Sequence, residues 1–169
     1  MNNGGLMYRK IIFVALMISA LFLSSCNTKK YSDEISCYEL CERALSSIDE
    51  TDEFSDYGKE YIKYFFEDSE LHDDFRIVYS TESDDIDELG VFHAPSADTA
   101  KEISSIVQNY ISEIQNTQRA FIESYAPEEL PKLDRAEVRV FGNYIVYAIM
   151  EEEEKSDVFS AIDKRLALK

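Results

Sequence analysis

Three residue types in this chain could do chemistry: thiols, imidazoles and carboxylates. Its 169 residues hold 3 cysteines, 2 histidines and 34 acids. Cys37 and Cys41 stand four apart, on one face of any helix that carries them. A helical pair rarely has the torsions a disulfide needs, and two thiols fall short of the four ligands of structural zinc. They read as free or core thiols, with a strained bridge after export or a redox role as alternatives. His72 lies among Glu70, Asp73 and Asp74, whose charges would raise its pKa. His93 ends an expected strand. A histidine-carboxylate metal site is conceivable, but each reads first as a surface or edge residue. No Ser, Cys or Asp sits in a nucleophile motif, and no glycine-rich phosphate loop exists among 5 glycines.

The acidic stretch "ESDDIDELG" invites a calcium reading. Setting Asp85 at the first EF-hand position puts Asp87 at the third and Gly90 at the sixth. Leu89 then stands where a ligand belongs, and Ser96 where a bidentate Glu is needed, so the pattern fails. A solvated loop is the plain reading and a loose cation site the alternative. "YIKYFF" with Tyr57 forms an aromatic cluster around Tyr61, Tyr64 and Phe65. It reads as core, or as a surface that stacks on sugars or receives a partner. With 34 acids, finding pairs suited to glycoside hydrolysis carries no information without a cleft. No catalytic residue, metal ligand or cofactor is assigned.

The first cysteine is different. Arg9 and Lys10 precede an uncharged run at 11–23 in which only Ser19 is polar. A bilayer span needs about 20 apolar residues, and this run has the shape of a secretory leader. It ends in Leu23-Ser24-Ser25-Cys26, which resembles the lipobox of bacterial lipoprotein signal peptides. The resemblance implies transfer of diacylglycerol to the Cys26 thiol and cleavage between Ser25 and Cys26. Two acyl chains hold a protein stably at a membrane where one does not. The expected organisation is a signal peptide at 1–25, a lipid-anchored tether at 26–34, and a single domain at 35–169.

Arg9 and Lys10 are the leader's only charged groups, so residues 26–169 carry 34 acids against 15 bases, a formal charge of −19. Such a surface repels nucleic acid and anionic polymers. The 11 tyrosines and 10 phenylalanines, with Ile and Val in periodic runs, argue against the disorder a very acidic chain would otherwise suggest.

These residues need elements to position them. Ile35, Leu40, Cys41, Ala44, Leu45 and Ile48 recur at helical spacing, and Phe54, Tyr57, Tyr61, Tyr64 and Phe65 fit a second helix. "FRIVYS" (75–80) and "LGVFHA" (89–94) read as strands. Ser96 can cap a long helix carrying Ala100, Ile103, Val107, Tyr110, Ile114 and Phe121, stopped by Pro127. "AEVRVFGNYIVYAIM" (136–150) reads as a hairpin turning on Gly142-Asn143. Val138 and Val140 then share a face with Ile145, Tyr147 and Ile149. "EEEE" (151–154) is a solvated break before a closing helix with Val158, Phe159, Ile162 and Leu166 inward. The expected fold is α+β: a four-stranded antiparallel sheet of two hairpins, a long helix across one face, and N-terminal and C-terminal helices.

"DELGVFHAPSADTAKEI", "SYAPEELPKLDRAEV" and "FGNYIVYAIM", behind a lipobox leader, resemble the lipoproteins of low-GC Gram-positive bacteria in domain-of-unknown-function family 4358. The span is about residues 85 to 150. Glu88 ahead of Val91-Phe92, the Tyr125-Ala126-Pro127-Glu128 step, and Gly142 before Tyr144 carry it. The resemblance implies an exported, lipid-anchored domain and no activity.

The expected function is a non-enzymatic module on the extracytoplasmic face of the cell membrane. It is held by diacylglycerol on Cys26 and binds an envelope protein or wall component through its sheet face or aromatic helix. The alternative is a small-ligand or cation-binding accessory lipoprotein. A hydrolase of unfamiliar type would need a pocket containing a buried carboxylate of displaced pKa.

Overall fold

Alternation builds the sheet. The computed structural model describes residues 30–48, 54–64 and 74–168. Strand β1 is Phe54–Asp56, β2 Phe75–Ser80, β3 Glu88–His93, β4 Glu137–Phe141 and β5 Tyr144–Ile149. They form one antiparallel sheet in the order β1-β2-β3-β5-β4. The two expected hairpins are β2-β3 and β4-β5, joined along β3 and β5. Gly142 supplies the turn of the second with φ 64°, and no other of the described residues has a positive φ. A single positive φ at the first turn position is the II′ pattern. Val138 pairs with Tyr147 and Val140 with Ile145, so these side chains share a face.

The sheet has five strands rather than four. The extra one is β1, in a segment whose spacing suggested a helix. Phe54 and Tyr57 lie three apart, which a helix would put on one side. Phe54 instead packs on one sheet face and Tyr57 on the other, the parity of an extended chain. Tyr57 N–H continues the pairing by donating to Ile77 O at 2.9 Å. A 3-10 helix, Lys59–Tyr64, follows.

Helix α1 is Cys37–Leu45, capped by Ser36, whose side chain accepts from Glu39 N–H. Helix α2 is Ala97–Thr117, capped by Ser96 through Thr99 N–H. The expected long helix breaks at Gln118 and resumes as α3, Arg119–Tyr125. Ser112 and Thr117 hydroxyls bond carbonyls four residues back at 2.9 and 2.8 Å, a habit that bends helices. Past the break Ile122 turns inward, while Phe121, expected on the apolar face, is exposed. Pro127 stops α3 as its ring requires and opens a 3-10 turn, Pro127–Glu129. Helix α4, Leu130–Asp134, follows.

Helix α5 is Glu152–Leu166. The "EEEE" stretch is thus mostly its first turn and not a break. Acidic side chains suit the positive end of a helix dipole, and Glu152 pairs with Lys155 three residues on.

The sheet is covered on both faces. Leu40, Cys41 and Ala44 of α1 share a core with Val158, Phe159 and Ile162 of α5 and with Val78, Leu89, Val91 and Val146. Ala100, Ile103 and Val107 of α2 share the other with Ile77, Phe92, Ile145 and Ile149. Every residue of β5 is buried. Helices bury most of the apolar side chains on both faces, while Val140 of β4 stays exposed.

Residues 30–34, expected within the tether, lie docked on the domain. Ser32 N–H donates to Leu166 O and Leu168 N–H to Lys30 O, at 2.8 and 2.9 Å. Tyr31 sets its ring edge-on to Phe141, 5.9 Å between centroids. Asp33 accepts from Asn143 Nδ2 at 3.1 Å and lies 2.8 Å from His93 Nε2. The chain thus joins the domain at the Gly142-Asn143 end of the sheet.

A tyrosine and carboxylate cleft

The opposite end of β3 begins with Glu88, paired with Ile149 of β5. This places its side chain on the α2 face, where it is 7% exposed. An isolated carboxylate there would be costly. Tyr147 and Tyr110 answer it, donating to Oε1 at 2.5 and 2.8 Å, and Tyr57 adds a third hydroxyl. Tyr110 spends its one proton on Glu88, so the 3.2 Å contact between Tyr61 and Tyr110 runs with Tyr61 as donor. Burial raises the pKa of Glu88 and the tyrosine hydrogen bonds oppose the rise. Burial and the neighbouring acid also raise Tyr110 and Tyr147.

Gly90 makes the contact geometrically available. It faces Tyr147 across the β3-β5 ladder. A Cβ built on it would collide with Tyr147 Cε1. The bare backbone lets the ring lie over β3, and the hydroxyl thereby reaches Glu88. Glycine inside a strand often marks such a close approach.

The loop from β2 to β3 adds a second acidic group. Ser80 N–H donates to Asp87 O at 2.8 Å and closes the loop. Inside it Asp87 N–H donates to Asp85 Oδ1 at 3.1 Å, and Ile86 N–H to Glu129 Oε2 at 3.3 Å. Carboxylate oxygens of Asp85, Asp87 and Glu129 lie within 4.8 Å of one another. The cation between them is Lys132 of α4. Its Nζ stands 2.8 Å from Asp85 Oδ1, 2.8 Å from Asp87 Oδ1 and 2.9 Å from Glu129 Oε2.

One ammonium does not neutralise three acids, and the carboxylates differ accordingly. Burial pushes Asp87 up to about 8, against the pull of Lys132. Asp85 is also partly buried, but hydrogen bonds from Lys132 and Ser80 outweigh this and hold it at about 2. Burial raises Glu129. The acids hold Lys132 well above its ordinary value although burial works the other way. Asp87 Oδ1 is fully buried, and the Lys132 ammonium faces it at 2.8 Å.

Both acidic groups border one cleft of about 200 Å³, between the 3-10 helix after β1, the loop before β3, and α2. Tyr57 stacks on Tyr61 at 3.8 Å and on Tyr79 at 4.3 Å to form one wall. Ile114, Ile122 and Ile149 supply apolar surface. A larger groove of about 830 Å³ runs between α1 and α5. Its charged lining residues Glu39, Glu42, Arg43, Asp157, Lys164 and Arg165 are exposed, so it holds none of the buried ionisable groups that mark a tuned site.

The sequence candidates fall unevenly against this geometry. Ser25, Cys26 and His72 lie outside the described residues. His93 is at the other end of β3 from the cleft, stacked 4.5 Å from the Tyr144 ring. Cys37 and Cys41 are buried and unbridged, and burial raises the Cys41 thiol to about 12. Asp85 and Asp87, weighed as calcium ligands, do converge, on an ammonium. Tyr57 and Tyr61 of the aromatic cluster line the cleft. Glu129, Lys132, Tyr110 and Tyr147 were not singled out for chemistry by their local sequence. The signals available were an acid opening an apolar strand and a glycine two residues on.

Among the described residues, no helix is long and apolar enough to cross a membrane. The family model described as Domain of unknown function (DUF4358) matches residues 46–150. No curated protein and no solved structure matches the chain.

Proposed function

From a chain that belongs to the DUF4358 family, a domain of unknown function, we propose a reading built on its own residues. The protein is a non-enzymatic binding module, exported and lipid-anchored through Cys26 on the outer face of the cytoplasmic membrane, that takes a small ligand in the tyrosine and carboxylate cleft. The observation that carries the reading is Glu88, a buried acid met by tyrosine hydroxyls at the edge of a cavity. Preorganised polar groups converging on a concavity are a usual mark of a ligand site.

Polarity of the fold supports the placement. Glu88 and His93 bound β3, so the cleft and the tether's docking point are about 17 Å apart along the strand. Lys30 is four peptide steps from Cys26, at most about 14 Å of chain. The anchored end faces the bilayer and the cleft opens away from it.

The hydrolase reading gains one observation, the raised proton affinity of Asp87 beside a cleft. Among the described residues the lining includes no histidine or cysteine, and the tyrosines hold Glu88 as a hydrogen-bond acceptor. The binding reading accounts for both.

Two measurements test it. Cys26→Ala yields an uncleaved precursor without lipid, read by mass spectrometry of the membrane fraction; a normal mature form in the variant sinks the anchor. Native mass spectrometry of the full chain extracted from its own membrane shows a small-molecule adduct, diminished in Tyr110→Phe. An adduct-free wild type sinks the ligand.

A further inference from the structure

We infer that strand β4 pairs edge to edge with β4 of a second copy of this chain, about a two-fold axis at Val138, so that two sheets become one. The inference goes beyond the cleft reading and stands independently of it.

The sheet ends in β1, of three residues, and β4, of five. The direction of β4's backbone groups follows from its neighbours. Ala94 N–H donates to Asn143 O at 2.8 Å, and bonded pairs alternate along an antiparallel ladder. Ile145, Tyr147 and Ile149 therefore bond β3, while Tyr144, Val146 and Ala148 bond Phe141, Arg139 and Glu137. Val138 and Val140 turn their N–H and C=O groups away from the sheet. Among the described residues these groups meet no partner. Val140 is 48% exposed. A groove of about 330 Å³ runs beside it, between α2 and β4, lined by the small side chains of Ala97, Ala100 and Ser104. The α2 face of this edge is thus open to a neighbouring strand. A row of unpaired backbone groups is a template for one.

Charge selects the occupant. Glu137 and Arg139 lie on the α5 face of the strand, 38% and 45% exposed and paired with each other at 2.6 Å. For the outward groups to bond, a two-fold axis can sit at Val138, Arg139 or Val140. At Arg139 it sets arginine against arginine. At Val140 it sets Arg139 against Phe141 and carries Glu137 past the strand's end to Asn143. At Val138 it sets Glu137 of each copy against Arg139 of the other. Opposite charges directly across antiparallel strands stabilise, and like charges do the reverse. In that register Val138 exchanges N–H and C=O bonds with its counterpart. Each Val140 N–H meets the Ala136 C=O of the other copy, while Ala136 N–H stays with Leu133 O at 3.3 Å. Charged edges ordinarily turn strands away; here the charges match those of a second copy. The formal charge of −17 opposes the approach of two copies, but physiological salt screens it beyond about 8 Å, so the contact pairs decide.

The test is native mass spectrometry of the full chain in detergent, with micelles in excess. The wild type is expected as a dimer. Arg139→Glu sets acid against acid and weakens the dimer about tenfold, because two cross-strand pairs turn from attraction to repulsion. Glu137→Arg/Arg139→Glu again opposes unlike charges, so the dimer returns; a chain that had merely failed to fold would not regain it. Val138→Cys joins two chains through a disulfide on oxidation, since directly opposed bonded residues lie about 5.5 Å apart at Cα, within disulfide reach. Val140→Cys does not. A monomeric wild type overturns the inference. A double variant that stays monomeric, or a link through Val140→Cys and not Val138→Cys, overturns the register and the pairing by charge with it.

Discussion

The Tyr147 hydroxyl donates to Glu88 Oε1 across 2.5 Å, and its ring gets there by lying over Gly90. Three positions on two strands thus act as one unit. Gly90→Ala puts a methyl group where the ring lies, so the ring or the strand must move. Overpacking of this kind costs about 1–3 kcal/mol. Tyr147→Phe keeps the packing and leaves Glu88 one donor short, costing about 1–3 kcal/mol. Urea denaturation reads both. If the two effects add fully in Gly90→Ala/Tyr147→Phe, the glycine does not act through this hydrogen bond; a smaller sum is expected.

Stability should fall as pH rises through neutrality. Asp87 binds its proton up to about pH 8 in the fold and to about pH 3.9 in an unfolded chain. Between those values the native state holds more protons, so the unfolding free energy declines with pH. One such group contributes at most about 1.4 kcal/mol per pH unit. Glu88, also raised by burial, acts in the same direction. Asp85, held at about 2, acts oppositely, its contribution being lost on acidification below about pH 4. Thermal melts from pH 5 to 8 should show a falling midpoint, and Asp87→Asn should flatten the trend. A midpoint that rises over this window would show that Asp87 is ionised throughout.

Lys132 is the counter-ion of three acids at once. Lys132→Met removes the charge and retains most of the stem. Breaking a buried ion pair from one side costs about 3–5 kcal/mol. The cost should be greatest at pH 8 and shrink toward pH 5, because the stranded carboxylates can take up protons instead. Denaturation at the two pH values decides it; a loss independent of pH would mean the lysine contributes packing and not charge.

Much of the sheet was legible because strand parity is local. Alternation along 75–80 and 137–149 gave β2, β4 and β5, and Gly142 gave the turn. Segment 54–64 misled because Phe54, Tyr57 and Tyr61 mimic helical spacing, while their faces are set by pairing with β2, which is distant in sequence. Phe121 misled because the helix breaks at Gln118 and past it Ile122 is the residue turned inward. The site was legible only in part. Asp85 and Asp87 stand together in one stretch, but the lysine they share is 47 residues away from Asp85. Tyr147 is 59 residues from Glu88. No period or local motif links such positions. They are brought together by the β3-β5 ladder and by the short α4 that follows Pro127.

The docked start of the chain offers a different handle. Asp33 holds Asn143 at 3.1 Å and His93 at 2.8 Å, tying residues 30–34 to the turn end of the sheet. Its side chain is 52% exposed, so the bonds contribute little to global stability, roughly 0–1 kcal/mol. Their effect is positional, since they decide where the chain coming from Cys26 leaves the domain. Asp33→Ala should therefore leave the urea midpoint nearly unchanged and speed amide hydrogen exchange at Ser32, whose N–H bonds Leu166 O. Exchange at Leu89 and Val146, deep in the sheet, should not change. If Ser32 exchanges at its original rate in the variant, the Tyr31 contacts alone hold the segment and Asp33 is not its latch.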